Sequence, residues 1–187
     1  MKSALTIIAL GANVASVAGK PQETLEISLK LINLREIDVI RVSSWWRSPA
    51  FPAESGDDFV NGVALANSSV EPAQMLQILH DVEAELGRTR DRRWEPRVCD
   101  LDLIAYGDAV APDKAEVSRL MALGLAAGRE PPPDQLVLPH PRMHERSFVL
   151  APMAEVAPEW RHPLLGLTTA ELLAALPAER LQGLERL

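Results

Sequence analysis

Two aspartates, Asp100 and Asp102, stand two residues apart in Val98-Cys99-Asp100-Leu101-Asp102-Leu103-Ile104. Five arginines (Arg88, Arg90, Arg92, Arg93 and Arg97) crowd the stretch just before them. Side chains alternate across a strand, so both carboxylates face one way, on Cα atoms ~6.5–7 Å apart, while Cys99, Leu101 and Leu103 face the core. Carboxylates at that spacing can share cations, and paired Mg²⁺ ions in phosphoryl-transfer sites sit ~3.5–4 Å apart. Magnesium takes few carboxylates and completes its shell with phosphate oxygens. Arginine forks match such oxygens bidentately. A cationic loop running into an acidic pair therefore suits a magnesium polyphosphate. Each feature alone has a plainer reading: a solvated strand face, and a basic loop pairing with surplus acid elsewhere.

A second constellation is Phe59, Asn61, Val63 and Leu65, which share one face of a predicted strand. A buried asparagine must find partners, and it offers both a donor and an acceptor. A flat heterocycle with amide-like edges satisfies both, with Phe59 stacked on its face; a hydrogen bond from Asn61 to nearby backbone is the plainer alternative. Gly11…Gly19-Lys20 is too widely spaced for a phosphate loop and has Pro21 where Ser or Thr is required. His140 and His144 flank Pro141 with no further ligand set, so zinc is not expected. No nucleophile elbow occurs.

The elements that must carry these residues follow from periodicity. Strands are predicted over 3–10, 36–47, 59–67 and 98–105, with a short one at 136–138. One helix opens at Pro21 with Leu25, Leu29 and Ile32 as its stripe; another opens at Glu71-Pro72, carries Met75, Ile78, Leu79, Val82 and Leu86, and stops at Gly87. A helix-like patch covers 117–127, inside a long stretch with three consecutive prolines, and a last helix over 168–176 is capped by Thr168. The order strand, helix, strand, strand, helix, strand predicts a ferredoxin-like α+β sheet.

Composition agrees with a folded globular protein rather than a generic nucleic-acid binder. Apolar residues make up 47% and charged residues 24% of 187, with a net charge of −7. A generic nucleic-acid binder is basic, so the positive charge here is local. The single cysteine, Cys99, excludes an intramolecular disulfide and suits a reducing compartment. The apolar run Ala4–Leu10 ends at Gly11 and Asn13 and is read as a buried strand rather than a signal peptide, and nothing approaches a membrane span. The expectation is a cytoplasmic monomer with neither a nucleic-acid nor a membrane partner, formed as one domain over 1–187.

Together the segments resemble the 6-hydroxymethyl-7,8-dihydropterin pyrophosphokinase family. They are Leu10-Gly11-Ala12-Asn13, Ser43 to Pro49, Asp58 to Asn61, Leu86-Gly87-Arg88, Arg93 to Leu103 and Leu138 to Phe148; the last two are the most specific. The resemblance implies a ferredoxin-like core in a three-layer α/β/α arrangement with a mainly antiparallel sheet. It implies transfer of diphosphate from ATP to the pterin hydroxymethyl group, with AMP as the other product, in folate biosynthesis. Asp100 and Asp102 would hold two Mg²⁺ ions, and Arg88 and Arg97 would clamp the β- and γ-phosphates. The ATP-binding set it implies is Leu76, Gln77, His80, Glu83, Arg88, Trp94, Arg97, Leu103, His140 and Arg146. The pterin set is Ser48, Ala50, Phe51, Phe59, Asn61 and Phe148, with Phe59 and Phe148 on either side of the ring. The loops 11–20, 49–58 and 88–96 would close over the substrates.

Departures from the family pattern are Glu95 where glycine is usual, Ala12 where serine is common, and a longer segment at about 111–135. That segment ends at Gln135, where some members place another ATP-contacting arginine; Arg129 is one replacement. Two other readings compete. One is a pterin or nucleotide binder whose catalysis is impaired by Glu95; the other is an RNA-binding ferredoxin-like module, for which only Phe59 is placed and which the acidic charge disfavours.

Overall fold

The computed structural model describes residues 3–50, 56–88, 97–123 and 136–187. Strand β1 (Ala4–Ala12) is an interior strand of the sheet. Ile8, Leu10 and Ala12 are buried on one side and Ile7 and Ala9 on the other, which is why the strand reads as an unbroken apolar run. Helix α1 (Pro21–Asn33) starts on Pro21, and the Glu23 carboxylate accepts a hydrogen bond from Lys20 N at 2.7 Å. Then come β2 (Ile37–Val42), β3 (Trp46–Ser48), β4 (Phe59–Ser68), α2 (Pro72–Glu85), β5 (Asp100–Tyr106), α3 (Lys114–Leu123), α4 (Ser147–Val156), α5 (Thr169–Ala174) and β6 (Glu185–Arg186).

Every pairing in the sheet is antiparallel, and the strands run β5-β1-β4-β3-β6. β1 lies along one edge of β4 in full, while β2 and β3 share the other edge end to end. α1 and α2 bury Leu25, Ile32, Met75, Leu79 and Val82 against Ile8, Leu10, Leu101 and Leu103. On the opposite face, α4 and α5 bury Val149, Leu150, Met153 and Leu172 against Ile7, Val63, Leu65 and Ile104. The result is the expected three-layer α/β/α arrangement over a ferredoxin-like sheet. Among the described residues, no helix is long and apolar enough to cross a membrane.

Three expectations are corrected. The strand expected over 36–47 is two strands, because the chain leaves the ladder at Ser43. There the Ser43 hydroxyl accepts from Val63 N at 3.0 Å, taking the place of a backbone carbonyl. Trp45 then folds over Gly62, so closely that a Cβ on that glycine would stand 2.6 Å from Trp45 Cζ3. The strand expected at 136–138 is an isolated bridge between Leu138 and Ala111. Helix α4 was not expected: it is apolar nearly all round and contains Pro152, so it offers no 3.6-residue stripe. Thr168 caps α5 as expected, its hydroxyl accepting from Glu171 N at 3.2 Å. α3 covers part of the expected 117–127 helix, and the rest lies outside the described residues.

Candidate active site

β5 is an edge strand, and its first residue sets the site. Alternation sends Leu101 and Leu103 into the α1/α2 core and leaves Asp100 and Asp102 on the α4 face, in line with Ile104. Asp100 Oδ1 lies 2.5 Å from Arg88 Nη1, and its Oδ2 accepts from Arg97 Nη1. Arg88 also pairs with Glu83, whose Oε1 accepts from Leu101 N at 2.7 Å. Glu83 is 1% exposed, so a buried carboxylate on α2 holds both a guanidinium and the start of β5. Burial works to lower the Arg88 pKa, but the charges of Asp100 and Glu83 outweigh it and raise the pKa, which keeps Arg88 cationic.

Asp102 is more open. Its side chain is 39% exposed, and Arg146 Nη1 stands 3.7 Å from Oδ2. The segment around His140 runs along the free edge of β5, with His140 N donating to Ile104 O at 2.8 Å. His140 Nδ1 accepts from Arg142 N at 3.1 Å, and Nε2 lies 3.4 Å from Arg146 Nη1. Burial, helped by Arg146, pushes the His140 pKa down to about 3, so the imidazole is neutral at pH 7. The Arg146 guanidinium carbon stands 5.7 Å from the Phe148 ring centre, within cation–π range.

The heterocycle constellation lies on the same face. Gly11 is paired with Asp100 in β5 and with Asn61 in β4, and Asn61 is paired in turn with Trp46 in β3. One cross-strand row therefore runs Asp100, Gly11, Asn61, Trp46, with the glycine as a gap between acid and amide. A Cβ on Gly11 would stand 3.5 Å from Asn61 Oδ1 and 4.0 Å from the Phe59 ring. Asn61 is 5% exposed, and its Nδ2 donates to Ser48 Oγ at 2.9 Å, so its partner is a side chain rather than backbone. Ser48 sits opposite Phe59 in the next row, and Ala50 is buried beyond it. Phe148 is 37% exposed.

Asn13 has a role that sequence reasoning missed. Its Oδ1 accepts from Arg97 N at 2.7 Å and its Nδ2 donates to Asp57 O at 3.2 Å. One buried side chain at the exit of β1 thus ties the end of one expected closing loop, 49–58, to the residue that follows another, 88–96. Its place in Leu10-Gly11-Ala12-Asn13 was the available signal. Of the other expected ATP contacts, Leu103 is buried in the α1/α2 core, Gln77 is exposed and donates to Asp81 Oδ1 at 2.8 Å, and Leu76 and His80 are half-buried on α2. These lie on the α2 side of β5, with Asp102, His140 and Arg146 at its other face and edge. Phe51, Trp94, Glu95, Arg129 and Gln135, with Arg90, Arg92 and Arg93, lie outside the described residues.

The donor set suits a hard cation. Two carboxylates share a face, Asp100 held by Arg88 and Arg97 and the more open Asp102 near Arg146, and no cluster of three or more His, Cys, Asp or Glu side chains occurs among the described residues. An ion held by two carboxylates must complete its shell with other oxygens, as magnesium does on a polyphosphate.

A family model described as 7,8-dihydro-6-hydroxymethylpterin-pyrophosphokinase matches residues 7–158. The chain is 37% identical to a 2-amino-4-hydroxy-6-hydroxymethyldihydropteridine pyrophosphokinase of Pseudomonas aeruginosa, covering 96% of this chain and 94% of that protein. It is 35% identical to the Synechocystis protein of the same name, covering 89% and 73%. In structure it is similar to wild-type HPPK-DHPS of Plasmodium falciparum, with a TM-score of 0.67 at 13% identity; this chain spans 48% of that longer one.

Proposed function

The chain belongs to the 7,8-dihydro-6-hydroxymethylpterin-pyrophosphokinase family, and from that membership we propose that it moves diphosphate from ATP to the hydroxymethyl oxygen of 6-hydroxymethyl-7,8-dihydropterin. The substrate oxygen attacks the β-phosphorus, the bond from that phosphorus to the α,β-bridging oxygen breaks, AMP departs with the bridging oxygen, and the hydroxyl proton is released. The observation that supports this reading is the row Asp100–Gly11–Asn61: an acid held by two arginines and a buried amide on one face of one sheet, two strands apart.

Asn61 and Ser48 orient the pterin edge, and Phe59 and Phe148 cover its faces. Arg88 and Arg97 bind the β- and γ-phosphates, and His140 and Arg146 add nucleotide contacts along the free edge of β5. Leu76, Gln77, His80, Glu83 and Leu103 surround the adenosine from the α2 side. Asp100 and Asp102 are the residues that would hold two Mg²⁺ ions. Magnesium bound there supplies charge neutralisation for the polyphosphate and acidifies the attacking hydroxyl. The enzyme is read as one domain over 1–187 with an insertion at about 111–135, acting as a cytoplasmic monomer. The lone buried Cys99 supports a reducing compartment.

The test is product formation. AMP and the pterin diphosphate should appear only when ATP, the hydroxymethyl pterin and Mg²⁺ are all present. AMP release without the pterin, or none with all three, would sink the assignment.

A further inference from the structure

The row that crosses the proposed site continues past Trp46 to Arg186, which pairs with it from β6. On the α4 face, one carboxylate gathers this end of the sheet. Glu155 Oε2 accepts from Ser44 N at 2.8 Å, and Oε1 accepts from Trp46 Nε1 at 3.1 Å and lies 3.4 Å from Arg186 Nε. Arg186 itself donates to Ser44 Oγ through Nη2 at 2.6 Å and Nε at 2.9 Å. Leu187 N donates to Trp45 O at 2.9 Å, and Arg47 pairs with Glu185 at 3.2 Å. The same segment braces the residue after β3: Gly183 lies against Pro49 at φ +72°, where a Cβ would stand 2.6 Å from Pro49 Cγ.

β3 is only three residues long and carries Ser48, the hydrogen-bond partner of Asn61. A strand so short, separated from β2 by three residues outside the ladder, has few backbone bonds of its own to fix the height and tilt of Ser48. We propose that Glu155 is a positioning residue for the pterin site. Its carboxylate locks Ser44 and Trp46, while 183–187 closes on the same strand and on Pro49, and together they set the Ser48–Asn61 pair that reads the ring. This rests on the pterin assignment made above.

Binding measured separately for the two substrates tests it, with calorimetry of a non-hydrolysable Mg-ATP analogue and of the hydroxymethyl pterin. Glu155→Ala should weaken pterin binding about tenfold, roughly one hydrogen bond to a charged group, with Mg-ATP affinity unchanged. Glu155→Gln, which keeps one acceptor oxygen, should fall between it and the parent. Gly183→Ala pushes on Pro49 from the other side and should give the same pterin-selective loss, so the idea stays testable if Glu155→Ala fails to fold. Unchanged pterin affinity in Glu155→Ala, or in Gly183→Ala should the first not fold, overturns the proposal. So does equal loss for both ligands, which marks a merely structural role. A parent protein that binds no pterin at all refutes instead the underlying site assignment.

Discussion

Arg88 Nη1 stands 2.5 Å from Asp100 Oδ1, so a guanidinium just beyond α2 is fastened to the first residue of β5. The same group neutralises Glu83, which has almost no access to water. Arg88→Ala therefore removes the proposed phosphate clamp and also strands a buried charge. Loss of one partner of a buried pair costs on the order of 3–5 kcal/mol, which a urea melt should register. Adding Glu83→Gln should recover part of that stability and none of the turnover. Recovery of turnover would show that Arg88 matters only to folding.

Asp102→Asn separates chemistry from folding in the other direction. The side chain is partly exposed and its contact with Arg146 is long. The substitution should leave the melt within about 0.5 kcal/mol of the parent. Turnover should fall by about 10²-fold or more, as when a group stabilising transition-state charge is lost. Near-parental rates in single-turnover AMP formation would remove Asp102 from the site.

Asn13→Ala tests the tie among the segments around the site. It leaves Arg97 N without its acceptor, at a cost of about 1–3 kcal/mol, and it frees Asp57 O. Hydrogen exchange should speed up at Arg97 and around Asp57 together, with the β1–β4 ladder unchanged. Faster exchange at one of the two sites alone would argue against Asn13 as their common anchor.

His162 gives the fold an acid limit. It is buried, and its Nδ1 accepts from Leu164 N and Leu165 N, each at 3.2 Å. Protonation would set an N–H against two donors. Burial, with a further push from His144, lowers its pKa from 6.5 to about 4. Between those values the unfolded chain takes up a proton that the folded chain refuses. Stability is therefore full above about pH 6.5 and falls as pH drops towards 4, by on the order of 3 kcal/mol in total. Melting curves from pH 4 to 7 should show this slope, and His162→Asn should flatten it. An unchanged slope would assign the acid sensitivity elsewhere.

How much of this was legible in the sequence depended on how local each signal is. β1, β4, β5, α1 and α2 carry their periodicity in consecutive residues, and the two aspartates inherit their common face from strand alternation alone. The Asp100–Arg88 contact was legible as proximity along the chain. Glu83 as its buried counterpart was not, because that pairing depends on how α2 docks. α4 was hidden because both sheet and flanking segments bury it, so no polar stripe marks it. Ser43 and Ser44 read as strand, since nothing in their neighbourhood reveals that their hydrogen bonds go to Val63 and, across the fold, to Glu155. Likewise β6 is two residues long, and only its partner strand makes it a strand.

Gly11 separates the acid from the amide by whole strand widths, and that makes the sheet a ruler. Two interstrand steps of ~4.8 Å set roughly 10 Å between the α-carbons at the two ends. Backbone hydrogen bonds enforce this interval, so loop movement cannot tune it continuously. With Asn61 reading the ring and Asp100 marking the phosphate end, as proposed, a pterin bearing an arm one carbon longer would carry its nucleophile past that end. Discrimination by arm length would in that case belong to the backbone lattice itself.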